Sequence, residues 1–142
     1  MPWIFYNDAK RWMVIGSISL GVDPINIMLL SDTYTPDIDV HESRADVLAH
    51  EASGTGYTAG GQALASITTI RDDTNDRILW GADDPQWTNI TITFRYAVLY
   101  KNNFSIASGD QLICYHDFGT NQSITNGTLN IVLPITGIAT IN

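Results

Sequence analysis

The stretch Ile90-Thr-Ile-Thr-Phe-Arg-Tyr-Ala-Val-Leu-Tyr100 decides the fold class. Its large apolar residues alternate with smaller or polar ones, which places one set on a single face of an extended chain: Ile90, Ile92, Phe94, Tyr96, Val98 and Tyr100. A helix would scatter the same residues around its whole cylinder. The pattern therefore predicts a long β-strand with one face in a core, and Phe94, central on that face, is expected to be buried.

Other segments also have the pattern of strands, separated by turn-forming residues. The predicted strands cover residues 12–20, 25–30, 64–70, 78–80, 112–118, 129–133 and 135–141. The segment 25–30 is nearly continuously apolar, as expected of a strand that is buried on both faces. Strands that recur about every ten residues predict a single mainly β domain over residues 1–142, an antiparallel β-sandwich or jelly-roll-like domain.

One segment departs from the period of two. Between about residues 38 and 52, Val40, Val47 and Leu48 recur at helical spacing, and Asp39 with Glu42 forms an Asp-x-x-Glu capping pattern. This predicts one short inserted α-helix. The glycine-rich run 54–61 that follows lacks the Gly-Lys-Ser/Thr ending of a phosphate-binding loop, so a turn after a helix C-cap is favoured.

The charge of the chain limits the partners that it can bind. Seven basic residues oppose 15 acidic ones among 142, a net charge of −8, and an acidic surface repels the phosphate backbone of nucleic acids. No apolar run approaches the roughly 18 residues that cross a bilayer. The first residues lack the basic flank and cleavage site of a secretory signal. We therefore expect no nucleic-acid partner, no membrane association, and a protein that is made and assembled in a cytosol.

The sequence contains few clusters of residues that could catalyse a reaction or bind a metal ion. We therefore predict a non-enzymatic protein without a metal or cofactor. The sequence contains no His-Glu-x-x-His, Gly-x-Ser-x-Gly or Walker motif. Asp37, Asp39 and His41 could converge on a cation, but the acids also suit a helix start, which is the favoured interpretation. His116 is interpreted as a hydrogen-bonded core or interface residue. The lone Cys114 is expected to be buried and inert.

The N-terminal segment is unusually aromatic. Its large apolar residues are candidate interface residues, because aromatic side chains commonly anchor protein interfaces: Trp3, Ile4, Phe5, Tyr6 and Trp12. Residues 1–11 are thus a candidate interaction arm, which could be deleted without loss of the folded body. The alternative is that these side chains pack on their own domain.

Several spaced motifs together resemble those of a group of small tailed-bacteriophage proteins. From about Leu30 to the C-terminus the motifs that carry the resemblance are, in order, Asp32-Thr-Tyr-Thr-Pro-Asp-Ile-Asp-Val-His41, Gly54-Thr-Gly-Tyr-Thr-Ala-Gly-Gly61 with Ala63-Leu-Ala-Ser66, Ala97-Val-Leu-Tyr-Lys101, Asp117-Phe-Gly119 and Thr125-Asn-Gly-Thr128. The order of the motifs is more specific than any one of them. The first 25 residues do not follow the pattern.

The resemblance implies a structural component of a virion, of the capsid-decorating, cement or minor head protein type. Its implied partners are the major capsid protein and copies of itself, in a homo-oligomer for which a trimer is one candidate. Its implied location is the capsid of a virion that assembles in the host cytoplasm. The alternative is a carbohydrate- or receptor-binding module of a phage tail or fibre, with Trp80, Trp87 and Tyr57 as a platform for a sugar.

Overall fold

The computed structural model describes residues 2–104, 106–133 and 139–141, and it is mainly β, with 45% strand and 14% helix. The strands are β1 (Ile4–Phe5), β2 (Ile25–Leu30), β3 (Gln62–Ala63), β4 (Thr68–Asp72), β5 (Arg77–Gly81), β6 (Gln86–Lys101), β7 (Gln111–Asn130) and β8 (Ala139–Ile141). The α-helices are α1 (Asn7–Val14) and α2 (Arg44–Val47), and short 3₁₀ turns cover Leu48–His50 and Ala107–Gly109.

Two antiparallel sheets form the body of the fold. The larger has the order β1-β7-β6-β2-β3, and the smaller has the order β4-β5-β8. This arrangement confirms the predicted fold class, a mainly β antiparallel domain of sandwich-like architecture. The described residues contain two short α-helices rather than the one that was predicted.

The larger sheet has apolar side chains packed on both of its faces. The first core lies on one face of the larger sheet and includes Ile27, Leu29, Phe94 and Leu99 of that sheet with Trp80 of β5. The second core lies on the other face, where α1 and α2 pack, and contains the following buried residues: Tyr6, Ala9, Met28, Leu30, Tyr34, Val47, Tyr96, Val98, Tyr100 and Leu112. Alternate residues of β2 enter the two cores, which confirms that β2 is buried on both faces.

The long strand β6 changes face near its middle. Phe94 pairs with Gln122 but Tyr96 pairs with Asp117, so a bulge of β7 intervenes between these two pairs. A bulge shifts the alternation of side chains. Ile90, Ile92 and Phe94 lie in the first core as predicted, whereas Tyr96, Val98 and Tyr100 lie in the second. The prediction of one shared face is therefore wrong for the C-terminal half of β6.

An ion pair and a glycine in the left-handed region stabilise the bulge. Arg95 donates to both carboxylate oxygens of Asp117, from Nε at 3.0 Å and from the terminal nitrogen at 3.2 Å. The hydrogen bond from Arg95 lowers the pKa of the Asp117 carboxyl. Gly119 adopts a positive φ of 84° and donates its N–H to Asp117 Oδ1 at 2.8 Å. Strand β7 continues through the bulge to Asn130.

The first predicted strand is wrong, because much of residues 12–20 belongs to a helix and the turn after it. Helix α1 has an acidic residue, Asp8, in its first turn, where it complements the helix dipole. Ala9 is buried in the second core, while Trp12 and Met13 pack against the first. The apolar run Trp12–Ile15, which follows Arg11, obscured this helical spacing.

The predicted inserted helix is shorter than the sequence indicated. Only Arg44–Val47 is α-helical, followed by the 3₁₀ turn. The capping box joins Ser43 and Asp46, not Asp39 and Glu42. The predicted strand 64–70 begins instead at Thr68. Of the predicted strand 135–141, residues 134–138 lie outside the described residues and 139–141 form β8.

Candidate interaction surface

The N-terminal aromatic residues lie against the sheet of their own chain. Strand β1 pairs with β7, with Ile4 opposite Tyr115 and Phe5 opposite Cys114. Tyr6 has no exposed surface, and its hydroxyl lies 2.7 Å from the hydroxyl of Tyr34. Burial raises the pKa of the Tyr6 phenol. Tyr6 is thus a core residue.

The other members of this group are less enclosed. Trp3, Phe5 and Trp12 are half-buried and pack against the first core, and Ile4 is exposed. The Trp3 ring stacks 5.4 Å from the imidazole of His116. A role for Trp3, Ile4, Phe5, Tyr6 and Trp12 in an interface stays a prediction, and the exposed Ile4 offers a test that leaves the core intact.

Deleting residues 1–11 is expected to prevent cooperative folding, contrary to what the sequence indicated. The deletion removes the buried side chains of Tyr6 and Ala9, the edge strand β1 and the first half of α1. Loss of a large buried side chain alone costs about 3–5 kcal/mol. Thermal unfolding followed by circular dichroism measures the effect, with Ile4→Ser as the control for the arm. A truncated chain with the wild-type melting temperature would contradict this placement of the segment.

His116 lies beneath the N-terminal segment with an unsatisfied nitrogen. Its ring packs 5.4 Å from Trp3 and 4.6 Å from Phe118. In the described part of the chain its Nδ1 is buried and has no hydrogen-bond partner. Burial lowers the pKa of the imidazole. His116 is half-buried among these rings, and its interpretation as a hydrogen-bonded core or interface residue stays a prediction.

The stability of the protein is expected to fall as the pH drops through about 6.5, the ordinary histidine pKa. Below that pH the unfolded chain binds a proton at His116 that the folded chain still resists, so protonation favours unfolding. Urea midpoints at about pH 7.5 and 5.5 should therefore differ more for the wild-type protein than for His116→Gln. Equal differences in the two proteins would show that His116 is not the group responsible.

The aromatic residues considered as a sugar platform do not form one. Trp80 and Trp87 are buried in the first core, and the Trp80 indole donates to the Leu20 carbonyl at 2.9 Å. The Tyr57 hydroxyl binds within the chain, since it donates to Glu51 at 2.9 Å and accepts from the Leu29 N–H at 3.0 Å. A sugar-stacking surface needs exposed rings, and these rings face inward.

The residues weighed as a cation site make hydrogen bonds with each other and with the chain. Asp37 accepts from the Asp39 N–H at 3.1 Å, and Asp39 accepts from the Asn7 side chain. The Nδ1 atom of His41 lies 3.1 Å from the Tyr34 hydroxyl. Among the described residues, no group of three or more His, Cys, Asp or Glu side chains is arranged to hold a metal ion.

We continue to expect no specific ion at Asp37, Asp39 and His41, because their polar atoms already serve the loop. Calorimetric titration with Ca²⁺ or Zn²⁺ should give no saturable heat. A saturable signal that disappears in Asp39→Ala but persists in Asp73→Ala, an exposed acid elsewhere, would contradict the expectation.

Two loops come together at one end of the larger sheet. The first follows α1 and leads into β2, and the second connects β6 to β7. Lys101 donates to the Ser17 carbonyl at 2.9 Å, and the Asn102 N–H donates to the Pro24 carbonyl at 2.9 Å. Gln111 adds a bond to the Ser17 hydroxyl at 3.1 Å. The two loops are therefore fixed side by side.

This end of the molecule exposes large apolar side chains. It holds five of the eleven that are exposed in the described part of the chain, and we call them the loop face: Val14, Ile15, Val22, Phe104 and Ile106. Val22 is 84% exposed and Phe104 is 79% exposed. Exposed apolar residues are ordinary one at a time, but a cluster of them marks an interaction site.

The loop face also lacks charge. Residues 14–22 and 102–109 contain no acidic or basic residue, although the chain carries 22 of them. The flanking ions are paired at the base of the loops, with Asp23 3.1 Å from Lys101 and Asp110 2.7 Å from Arg44. The result is a neutral, apolar end on an acidic protein.

The sequence contains a signal for this surface that no functional motif describes. Both segments are uncharged runs with isolated large apolar residues, but their position at the same end depends on the pairing of β2 with β6. The predicted strand over residues 12–20 would bury alternate side chains of that run.

Cys114 is fully buried, and its burial raises the pKa of the thiol, as expected of a structural cysteine.

Among the described residues, no helix is long and apolar enough to cross a membrane.

Comparisons of this chain with protein-family models, with curated proteins and with solved structures found no match. The function of the chain is therefore inferred from its own residues.

Proposed function

We propose that this chain is a non-enzymatic structural protein of a tailed-bacteriophage virion, which decorates or cements the capsid shell. It would act in the capsid after assembly in the host cytoplasm, through contacts with the major capsid protein and with copies of itself. The observation that carries the proposal is the loop face, a fixed, uncharged and apolar surface. Such a surface suits binding to another protein.

The positions of the motif residues support a structural role. Tyr34 and His41 of the first motif hydrogen-bond to each other beside the second core. Asp117 and Gly119 hold the bulge of β7, and Asn126 adopts a positive φ of 49° beside a second irregularity of the same strand. These motif residues thus stabilise loops and strand geometry.

The distribution of charge also supports attachment to a shell. An acidic exterior keeps many copies soluble and repels packaged nucleic acid, whereas the neutral loop face removes that repulsion where a partner must approach. A decorating protein needs both properties.

The proposal is tested by counting copies of this chain in purified virions of the phage that encodes it. Quantitative mass spectrometry against the major capsid protein is expected to give a number on the scale of the capsid lattice, with the chain located on the shell by electron microscopy. A handful of copies at the tail would favour a receptor-binding module instead. Complete absence from virions would reject the proposal.

Attachment can be tested with matched variants. Purified capsids that lack the chain are mixed with wild-type protein, with Ile4→Asp or with Val40→Asp, and bound protein is measured after sedimentation. Ile4 belongs to the N-terminal interface prediction, whereas Val40 is exposed elsewhere. Reduced binding of Ile4→Asp alone would support the N-terminal interface, and equal binding of all three proteins would exclude Ile4 from the contact.

A further inference from the structure

We propose that the loop face is the surface through which copies of this chain bind each other. The inference deepens the proposed function, on which it rests for the place of this contact in a shell. The contact itself forms between purified molecules, so that it can be tested without a virion.

Charge identifies a second copy as the occupant. A basic partner would be drawn to the acidic remainder of the surface, and an acidic partner would be repelled by it. The loop face has no charged residue. Asp23 with Lys101 and Asp110 with Arg44 are paired at its base, and Lys10 and Arg11 lie one helical turn before it in α1, where Arg11 pairs with Asp8. Two copies, each with a net charge of −8, approach with least repulsion when these neutral ends meet.

The chemistry of the surface is also complementary to itself. Val14, Ile15, Val22, Phe104 and Ile106 offer apolar area without a charged or specifically aimed polar group that would demand a different partner. When the same patch is used on both molecules, an apolar surface meets an apolar surface, as in the symmetric contacts that dominate homo-oligomers.

The loops are held in place before any partner binds. Ile18 is buried in the first core between the exposed Ile15 and Val22, and the Leu20 carbonyl accepts the hydrogen bond from Trp80. Asp110 Oδ1 accepts the Asn103 N–H at 2.9 Å at the start of the second loop. A surface that is already ordered loses little conformational entropy on association.

Phe104 has the features of an anchor residue. Its backbone has a φ of 55°, which is unusual for a bulky side chain, and its N–H donates to the Asn102 side chain at 2.9 Å. The loop thereby directs an aromatic ring to solvent rather than into the protein. Aromatic residues at the centre of an interface supply much of its affinity.

The test measures the mass of the purified protein in solution over a range of concentrations. By sedimentation equilibrium, the wild-type mass is expected to rise above the monomer mass of 15.6 kDa as concentration increases. Association should strengthen with salt, which screens the repulsion between acidic copies. A mass that stays at that of the monomer up to about 1 mM would overturn the inference.

Variants in both loops separate this contact from a folding defect. Phe104→Asp and Val22→Asp should each weaken association at least tenfold, whereas Val40→Asp adds the same charge at another exposed site and should not. Aspartate tolerates a positive φ better than phenylalanine, so that Phe104→Asp retains the fold, as circular dichroism will verify. Phe104→Leu should keep most of the association. Equal association of all four variants and wild type would overturn the inference.

Binding to capsids distinguishes the failure of this inference from the failure of the proposed function. If the wild-type protein is monomeric but the loop-face variants fail to bind capsids, the surface contacts the shell, and the self-contact is rejected while the proposed function stands. If the wild-type protein self-associates through the loop face but is absent from virions, the self-contact stands and the proposed function is rejected.

Discussion

Replacing Phe94 with alanine is expected to lower the free energy of unfolding by about 3–5 kcal/mol. The side chain is 1% exposed in the first core, and its ring meets that of Phe118 edge-on at a centroid distance of 5.4 Å. Removing the ring leaves a cavity in the first core, where the backbone of β6 is fixed by its pairing with β7 and cannot collapse into it.

Phe104→Ala is the matched control for this change. It removes the same atoms from a residue that is 79% exposed, so its effect on stability is expected to stay within about 0.5 kcal/mol. Urea midpoints of the two variants, measured at protein concentrations at which the wild type is monomeric, give the comparison. Equal midpoints for the two would show that Phe94 does not lie in the core.

Replacing Gly61 with alanine is expected to destabilise the protein by roughly 2–5 kcal/mol. Gly61 has a φ of 76°, and an added Cβ would lie 1.7 Å from the Ile27 carbonyl oxygen and 2.9 Å from the Met28 Cα. Both atoms belong to the backbone of β2, which cannot retreat without breaking its pairing with β6. The change therefore combines an unfavourable backbone conformation with a steric clash.

Gly16→Ala separates these two contributions. Gly16 has nearly the same φ, 79°, but an added Cβ would meet nothing within 4 Å. It should show the conformational cost alone, about 1–2 kcal/mol. If Gly61→Ala costs no more than Gly16→Ala in the same denaturation experiment, the close approach to β2 is incorrect.

The sequence predicted the burial of those strands in which the strand's own residues determine which faces are covered. The segment 25–30 is apolar at nearly every position because both of its faces are covered, and β6 shows its alternation because each half meets a core. The burial of Phe94 followed from the same reasoning. In each case the residues that determine the outcome lie within the strand itself.

The change of face in β6 could not be predicted in this way. It coincides with the register shift between the pairs Phe94–Gln122 and Tyr96–Asp117, where β7 contains additional residues and Arg95 of β6 binds Asp117. In the sequence of residues 90–100 alone, the alternation places Phe94 and Tyr96 on the same face. The shift becomes visible only when the register with β7 is known.

The loop face could not be predicted from the sequence for a related reason. The apolar residues of the segment 12–20 indicate burial, yet of Val14, Ile15 and Ile18 only Ile18 is buried. The absence of charge from residues 102–109 is visible in the sequence, but not their position beside the loop that leads into β2, where Asn102 donates to the Pro24 carbonyl. Surfaces assembled from distant loops depend on topology, which local patterns do not contain.

The pairing of β2 with β6 also constrains how the chain folds during its synthesis. Leu30 pairs with Tyr96 and Ile25 with Lys101, so β2 leaves the ribosome well before its partner strand exists. At about 5–20 residues per second, β2 waits several seconds, with Ile27, Met28, Leu29 and Leu30 uncovered. Sheets closed by such distant pairs form slowly. The nascent chain is therefore most prone to aggregation before β6 emerges, and its yield in cells should depend on holding chaperones more than its final stability would indicate.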